Sequence, residues 1–282
     1  MPRLHAPTSS WNPRAPSARS SSTTGATLKP ERQEQKAPDR NSRPLRDVAR
    51  QRHQTARRRN MKIGIIGAGH IGGTLTRRLR ELGHEVTVAN SRSPETLTDL
   101  VNETGAGAAW AKDAAADADL VIVSIPQKNV PDLADGIVDA RKPGAPVIET
   151  NNYYPQQRDG EIAAIEDGQV ESAWVAKQIG APVYKVFSWI FWKHLLQRGT
   201  PSGTPDRIAL PIAGANGSGR DRVHGIVDEL GFEPVDAGPI SESWRQQPGT
   251  PVYGKDFNAA NTRKALAEAT RDRTPDWSAR TA

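Results

Sequence analysis

A glycine-rich turn between an apolar strand and a helix constrains this chain more than any other feature. Residues 67–72 read GAGHIG, the pattern G-x-G-x-x-G, and directly follow the apolar run MKIGII. Apolar residues then recur at helical spacing until Gly83, which is expected to end the helix. In this context the pattern predicts a dinucleotide-binding fold, with a pyrophosphate over the turn and the helix N-terminus. The expected contacts are Gly67, Ala68, Gly69, His70, Ile71 and Gly72.

The residues after the second predicted strand indicate which dinucleotide binds. A carboxylate there would accept a hydrogen bond from the 2′-hydroxyl of NAD and repel a 2′-phosphate. This chain instead has Asn90, Ser91 and Arg92. A serine hydroxyl can donate to phosphate oxygens, and a guanidinium can pair with them and stack on adenine. The predicted cofactor is therefore NADP(H). Further contacts are expected at the ends of other strands, from Ser124, Ile125, Pro126, Asn151 and Asn152.

Strand and helix signals alternate from residue 61 onward. The runs EVTVA, AAW, DLVIVSIP and APVIETN predict further strands, and helices are predicted from Ser93-Pro94 and over VPDLADGIVDA. Strands that are apolar on both faces are typical of a parallel sheet covered by helices. The predicted fold class is therefore α/β, a Rossmann-type doubly wound parallel sheet with a smaller C-terminal α/β substrate region.

The chain divides into three predicted parts. Residues 1–60 form a disordered basic tail, residues 61–154 an NADP-binding Rossmann domain, and residues 155–282 a region for the substrate or second cofactor. In the last part VYKVF, RIALPIAG and FEPVDAG predict strands. WIFWKHLL predicts a helix or turn, and GSGRDRVHGIVDELG and DFNAANTRKALAEAT predict helices. These elements form either a second domain or additional strands of the first sheet.

Charge and composition exclude several classes of protein. Residues 1–60 hold 14 of the 38 Lys and Arg and 4 of the 32 Asp and Glu, which leaves 24 against 28 in the remainder. A mildly acidic body gives no indication of nucleic-acid binding. The absence of cysteine excludes disulfides and thiolate metal sites. No apolar run approaches the roughly 20 residues of a membrane span, so we expect a cytoplasmic protein without a membrane partner. Met61 is an alternative native start.

Longer segments point to a family. The segments are MKIGIIGAGHIGG, ANSR, VSIP, ETNNYYPQQRDG, HLLQRGTPSGTPDRIALPIAG and DAGPISESWRQQPGTPVYG. Together they resemble the NADPH-dependent F-420 reductase family, the coenzyme F-420-dependent NADP oxidoreductases, over nearly all of residues 61–282. The N-terminal motifs are shared with pyrroline-5-carboxylate reductases. The resemblance implies hydride transfer between NADP(H) and a deazaflavin, coenzyme F-420, held face to face in a cleft. Related enzymes are often dimers, so it is also compatible with a homodimer.

The resemblance implies a second pocket as well. In the family, the segment that matches residues 185–190 lines the deazaflavin site. The expected lining here is Phe187, Ser188, Trp189, Ile190 and Gly214. Ser188 replaces the asparagine of the family pattern, and residues 213–216 read AGAN where the family has AGDD. These departures bear on the identity of the second substrate more than on the nucleotide.

Two other functions stay open. A reductase of a small imine or carbonyl would need a proton donor, and a sensor would bind NADPH without turnover. The candidate donors are Tyr153, Tyr154, Tyr253, Lys185 and His194, of which His194 is also the catalytic candidate. Residues 177–207 contain five Lys and Arg but only one Asp and no Glu. This excess predicts either a basic surface for an anionic deazaflavin or an ordinary solvated face.

Overall fold

A six-stranded parallel sheet organises residues 60–280, the part of the chain that the computed structural model describes. The predicted disordered tail, apart from Asn60, lies outside these residues. The sheet strands are β1 (Lys62–Ile66), β2 (Glu85–Ala89), β3 (Gly107–Ala108), β4 (Leu120–Val123), β5 (Val147–Glu149) and β6 (Tyr184–Lys185). Their order is β3-β2-β1-β4-β5-β6 and all neighbours are parallel. This is the strand order of a dinucleotide-binding Rossmann fold, as predicted.

The order reverses direction between β1 and β4. Ile65 of β1 pairs with Val88 of β2 on one side and with Ile122 of β4 on the other. All three side chains are fully buried, because helices and loops cover both faces of the sheet. At such a reversal the connections leave toward opposite faces, which opens a crevice at the carboxyl ends of the strands.

Helices and tight helical turns connect the strands. The α-helices are α1 (His70–Glu81), α2 (Thr98–Thr104), α3 (Ala111–Ala114), α4 (Ala163–Glu166), α5 (Glu171–Ile179), α6 (Trp192–Gln197), α7 (Ser218–Glu229) and α8 (Ala259–Glu268). Helix α1 shows the predicted periodicity, since Leu75 and Leu79 are fully buried against the sheet. Each such side chain stabilises the fold by about 1.5–3 kcal/mol. Gly83, with a φ of +91°, ends the turn after α1.

The connection from β4 to β5 differs from the prediction. The predicted helix over VPDLADGIVDA is wrong, because a 3-10 helix at Gln127–Asp132 is followed only by turns. Pro131 lacks the N–H that a continuing helix needs, and Gly136 has a φ of +67°. Ile137 and Val138 are nevertheless buried. Their apolar pattern therefore reflects packing against the sheet without a helix.

The C-terminal strands form a second, smaller sheet. Strands β7 (Ala209–Ile212) and β8 (Glu233–Asp236) are parallel to each other. One antiparallel bridge, between Lys185 and Ala213, links β6 to the end of β7. Strand β6 lies after Tyr154 in the chain and still belongs to the main sheet. Both arrangements considered for this region therefore occur, an added strand and a separate strand pair. A single hydrophobic core contains Leu75 together with Leu210 and Phe232.

Candidate functional site

A large cleft lies at the carboxyl edge of the main sheet, between the two halves of the strand order. Its volume is about 1460 Å³, whereas a pocket for one drug-sized ligand measures roughly 300–1,000 Å³. The turn after β1, the loop after β2 and the end of β4 contribute its walls. Ten residues predicted to contact the nucleotide line it, namely Gly67, Ala68, Gly69, His70, Asn90, Ser91, Arg92, Ser124, Ile125 and Pro126.

The three glycines of the turn have different roles. Gly67 has a φ of +114°, a conformation that other residues rarely adopt. A Cβ on Gly72 would lie 1.8 Å from the carbonyl oxygen of Gly67, so this glycine permits α1 to pack on the turn. A Cβ on Gly69 would meet nothing within 4 Å. Gly69 therefore leaves open space in the cleft, which fits a group that approaches the backbone closely, as a pyrophosphate does.

The N-terminus of α1 is suited to an anion. Its N-cap residue, Gly69, has no side chain to cap the helix, and the first turn contains no acidic residue. The first N–H groups of a helix have no partner within it, and the helix dipole adds a partial positive charge. The last turn holds Arg78 and Arg80, which balance the opposite end of the dipole. A phosphate over the turn would meet free N–H groups and no repelling carboxylate.

The loop after β2 is shaped by Asn90. Its Oδ1 accepts from the backbone N–H of Arg92 at 2.8 Å, and its Nδ2 donates to Thr96 Oγ1 at 2.9 Å. The side chain of Asn90 therefore holds the loop, while Ser91 and Arg92 are exposed toward the cleft. No carboxylate occupies residues 90–94 at the end of this strand.

The ends of β4 and β5 are tied together behind the cleft. Thr150 Oγ1 donates to Ser124 Oγ at 2.9 Å, and the N–H of Ile125 donates to Asn151 Oδ1 at 3.3 Å. Asn151 and Asn152 are only 2% and 8% exposed. These two asparagines do not line the cleft. Ile71 and Gly72 do not line it either, because Ile71 packs against the hydrophobic core and Gly72 is buried. Asn151 thus supports the wall that Ile125 forms.

A buried ion pair stabilises this edge. The carboxylate of Glu149 and the ammonium of Lys185 are both fully enclosed, with Nζ 3.3 Å from Oε1. Lys185 Nζ also donates to the carbonyl of Asn151 at 2.8 Å, and the N–H of Asn151 donates to Glu149 Oε2 at 2.8 Å. The hydroxyl of Ser172 completes the set by donating to Glu149 Oε1. The pair therefore holds the chain as it leaves β5.

The five residues expected to form a second pocket lie in the interior. Phe187, Ser188, Trp189 and Ile190 are at most 6% exposed, and Gly214 is buried against Tyr184. None of them lines the cleft. Ser188 Oγ and Trp189 Nε1 are buried without a hydrogen-bond partner. A role for this segment in binding a second substrate stays a prediction, and any ligand there would need a local rearrangement.

The candidate proton donors have very different surroundings. Tyr153 is fully buried, its hydroxyl accepts from the N–H of Ile162 at 3.0 Å, and burial raises its pKa to about 12. The ammonium of Lys185 is buried in its ion pair with Glu149. The imidazole of His194 is 37% exposed and lies 2.8 Å from Asp256 Oδ2, outside the cleft. The hydroxyls of Tyr154 and Tyr253 contact each other, and burial raises the pKa of Tyr253.

The predicted basic surface is not continuous. Lys185 is buried, and Arg207 is buried against Asp228 and Glu233. Arg198 pairs with Asp256. Of the five Lys and Arg in residues 177–207, only Lys177 and Lys193 are exposed and form no ion pair with another described residue. The local excess of Lys and Arg in the sequence therefore serves mainly intramolecular pairs.

Trp110, Lys112 and Trp192 line the cleft in addition to the predicted nucleotide contacts. His70 stacks on Trp192 with ring centroids 5.0 Å apart and an angle of 7° between the rings. Trp110, 51% exposed, and Lys112 line the side next to β2. Trp110 is the last residue of the run AAW and Lys112 lies two residues after it, so their position at the end of a predicted strand was the available signal. In residues 60–280 no helix has the length and apolar character to cross a membrane.

The fold and the glycine turn define a dinucleotide-binding Rossmann protein. Residues 62–153 match the family described as NADP oxidoreductase, coenzyme F420-dependent. The match confirms, over this segment, the resemblance to NADP-dependent oxidoreductases that the sequence predicts.

Individual proteins are also similar to this chain. The protein YjhV of Escherichia coli strain K12 is 41% identical over 66 residues, which are 23% of this chain and 48% of YjhV. The chain thus matches about half the length of this curated relative.

Two solved structures share the fold. A crystal structure of the hypothetical protein SMa0349 from Sinorhizobium meliloti is 25% identical, with a TM-score of 0.59, and covers 73% of this chain and 98% of its own. A crystal structure from Arthrobacter sp. FB24, provisionally named an F420-dependent NADP reductase, is 20% identical with a TM-score of 0.50. It covers 65% of this chain and 87% of its own.

Proposed function

We propose that this protein transfers a hydride between NADPH and an acceptor of the deazaflavin class, coenzyme F-420. The observation that carries the proposal is the shared cleft, in which an uncapped helix N-terminus and the exposed Ser91 and Arg92 face the same space. NADPH supplies the hydride as a pair of electrons with one proton, and the acceptor takes up a further proton from water. The matched family supports this pair of reactants.

The residues of the chain bind and orient rather than act as acid or base. The N–H groups at the start of α1 would hold the pyrophosphate, and Gly69 gives it room. Ser91 and Arg92 would hold the 2′-phosphate. Ile125 and Pro126 bound the cleft on the β4 side, supported from behind by Asn151.

The acceptor would use the remaining space. Beyond the turn the wall includes the stacked rings of His70 and Trp192 together with Leu196. Hydride transfer between two ring systems depends on stacking, orientation and exclusion of water more than on a strong acid or base. The volume of the cleft and the aromatic rings in its lining favour a planar second molecule.

The test is a turnover assay at 340 nm with NADPH and oxidised deazaflavin supplied together and separately. We expect NADPH oxidation only when both are present. Arg92→Asp should weaken NADPH binding about tenfold or more, because charge-assisted bonds to the phosphate are lost, while NADH binding is retained. Lys177→Ala is the matched control, since it removes an exposed cation outside the cleft. Unchanged NADPH affinity in Arg92→Asp would refute the assignment of the 2′-phosphate site.

The contact between Tyr154 and Tyr253 favours a second candidate, reduction of a small imine or carbonyl. Two phenols in contact can stay neutral and deliver a proton to a substrate nitrogen or oxygen. NADPH oxidation by imines or ketones without deazaflavin, lost in Tyr253→Phe, would support this function. Tight NADPH binding without oxidation by any acceptor would instead indicate a sensor.

A further inference from the structure

The loop after β3 lies directly beside the predicted 2′-phosphate site. Val88 of β2 pairs with Ala108 of β3, and the N–H of Ala109 donates to the carbonyl of Val88 at 3.1 Å. If the register of this parallel pair is continued two residues past Val88 and Ala108, Asn90 falls opposite Trp110, and parallel strands lie about 4.8 Å apart. Both line the cleft, together with Lys112.

Trp110 has an unusual degree of exposure for its type. Its side chain is 51% exposed, and only one other large apolar residue in residues 60–280, Phe191, is comparably exposed at 50%. Phe191 does not line the cleft, whereas Trp110 does. An exposed indole at the wall of a nucleotide cleft offers a flat surface on which a base can stack.

The charges around this end of the cleft leave two cations available. Arg77 and Glu103 neutralise each other through two contacts of 2.6 Å, which also raise the pKa of the arginine and lower that of the glutamate. The remaining acids of the lining are Asp99 and Asp132. Arg92 and Lys112 form no ion pair within residues 60–280, and both are exposed.

We propose that Trp110 and Lys112 complete the adenosine end of the site. Trp110 stacks on the adenine ring, and Lys112 places a second cation on the 2′-phosphate from the side opposite Arg92. The inference rests on the proposed binding of NADP(H) and adds the residues that select it. The two roles are separable, because adenine is common to NADPH and NADH whereas the 2′-phosphate belongs to NADPH alone.

Calorimetric titration of the full chain with NADPH and with NADH tests both roles. Lys112→Ala should weaken NADPH binding about tenfold at low salt and leave NADH binding unchanged. Trp110→Ala should weaken both by a similar factor, about tenfold, because the stacked ring is shared. The matched controls are Lys177→Ala and Phe191→Ala, which remove an equally exposed cation and aromatic side chain outside the cleft and should bind as the unchanged protein does.

Each outcome decides a different question. If Lys112→Ala weakens the binding of NADPH and NADH equally, or weakens neither, the role of the lysine is overturned. If Trp110→Ala binds both nucleotides as tightly as Phe191→Ala does, the stacking role is overturned. An unchanged protein that binds neither nucleotide overturns the inference together with the cofactor assignment. If it binds NADPH but reduces no deazaflavin, only the proposed acceptor fails, and the two variants still test the adenosine end.

Discussion

Lys185 shows how strongly a single buried residue can be constrained. Its ammonium is enclosed with the carboxylate of Glu149 and donates to the carbonyl of Asn151. A buried charge without a partner is far less stable than a buried pair, because no water replaces the lost interaction. The sequence showed only a lysine within an apolar strand, VYKVF. Its pairing with Glu149 depends on the adjacency of β5 and β6, which no local pattern indicates.

We predict that Lys185→Met lowers the free energy of unfolding by about 3–5 kcal/mol, because Glu149 is left buried without a counter-charge. The double variant Glu149→Gln with Lys185→Met should recover much of this loss. Urea denaturation measures both. Lys62→Met is the control, since Lys62 pairs with Asp117 on the surface. Equal stability of the single and double variants would contradict the explanation.

Glu171 predicts a dependence of stability on pH. Burial raises the pKa of its carboxyl above the ordinary value of 4.5, although Arg273 donates to it at 2.8 Å. The folded protein then holds this proton more tightly than the unfolded chain. The stabilisation from Glu171 is therefore fully present below about pH 4.5 and is lost as the pH rises through the folded pKa.

We accordingly expect the stability of Glu171→Gln relative to the unchanged protein to increase from pH 4.5 to pH 7. Urea denaturation at several pH values measures the difference. Glu85→Gln, at an exposed position on β2, controls for the loss of a negative charge. A difference that is constant with pH, or that falls as the pH rises, would show that the carboxyl is not destabilised by burial.

At the scale of elements, the turn and α1 act as one unit. The strand, the glycines and the amphipathic helix are local signals, so the sequence predicted them and the cleft residues they carry. The β4–β5 connection was mispredicted because Ile137 and Val138 are buried by packing rather than by helical periodicity. Helix α5 was missed because its buried face includes the polar Glu171 and Ser172, which interrupt the apolar pattern.

Two glycine substitutions should separate binding from folding. Gly69→Ala places a methyl group in open space at an ordinary φ of −71°, so stability should hardly change. NADPH binding should weaken about tenfold, because the phosphate can no longer approach the backbone. Gly72→Ala should destabilise the fold itself, since its Cβ would overlap the Gly67 carbonyl. Thermal unfolding and titration of both variants test this, and equal losses of stability would refute the distinction.

At the scale of the whole described region, the C-terminal segment closes over the chain that follows β5. Trp277 lies 5.9 Å from the ring of Tyr154 and 6.0 Å from that of Tyr253. Arg280 pairs with Glu161 and Asp167, and Gln156 Nε2 donates to the carbonyl of Pro275 at 2.8 Å. Apart from the contact between Trp277 and Tyr253, these contacts join residues more than 110 positions apart, so no local sequence pattern could predict them.

We predict that Trp277→Ala lowers the free energy of unfolding by about 1–3 kcal/mol, less than for a fully buried aromatic residue because Trp277 is only partly buried. Trp110→Ala is the comparison, since its indole is half exposed and should affect nucleotide binding rather than stability. Urea denaturation of both variants distinguishes them. Equal stability of the two variants would show that the C-terminal segment contributes little.

The bridge between Lys185 and Ala213 gives the two sheets a shared residue. The backbone of Lys185 is bonded to the smaller sheet, while its side chain holds Asn151, which in turn supports Ile125 in the cleft. A displacement of β7 would therefore be transmitted through Lys185 to the part of the cleft wall that Ile125 forms. Evolution could adapt the C-terminal region to another acceptor only while leaving this mechanical connection intact.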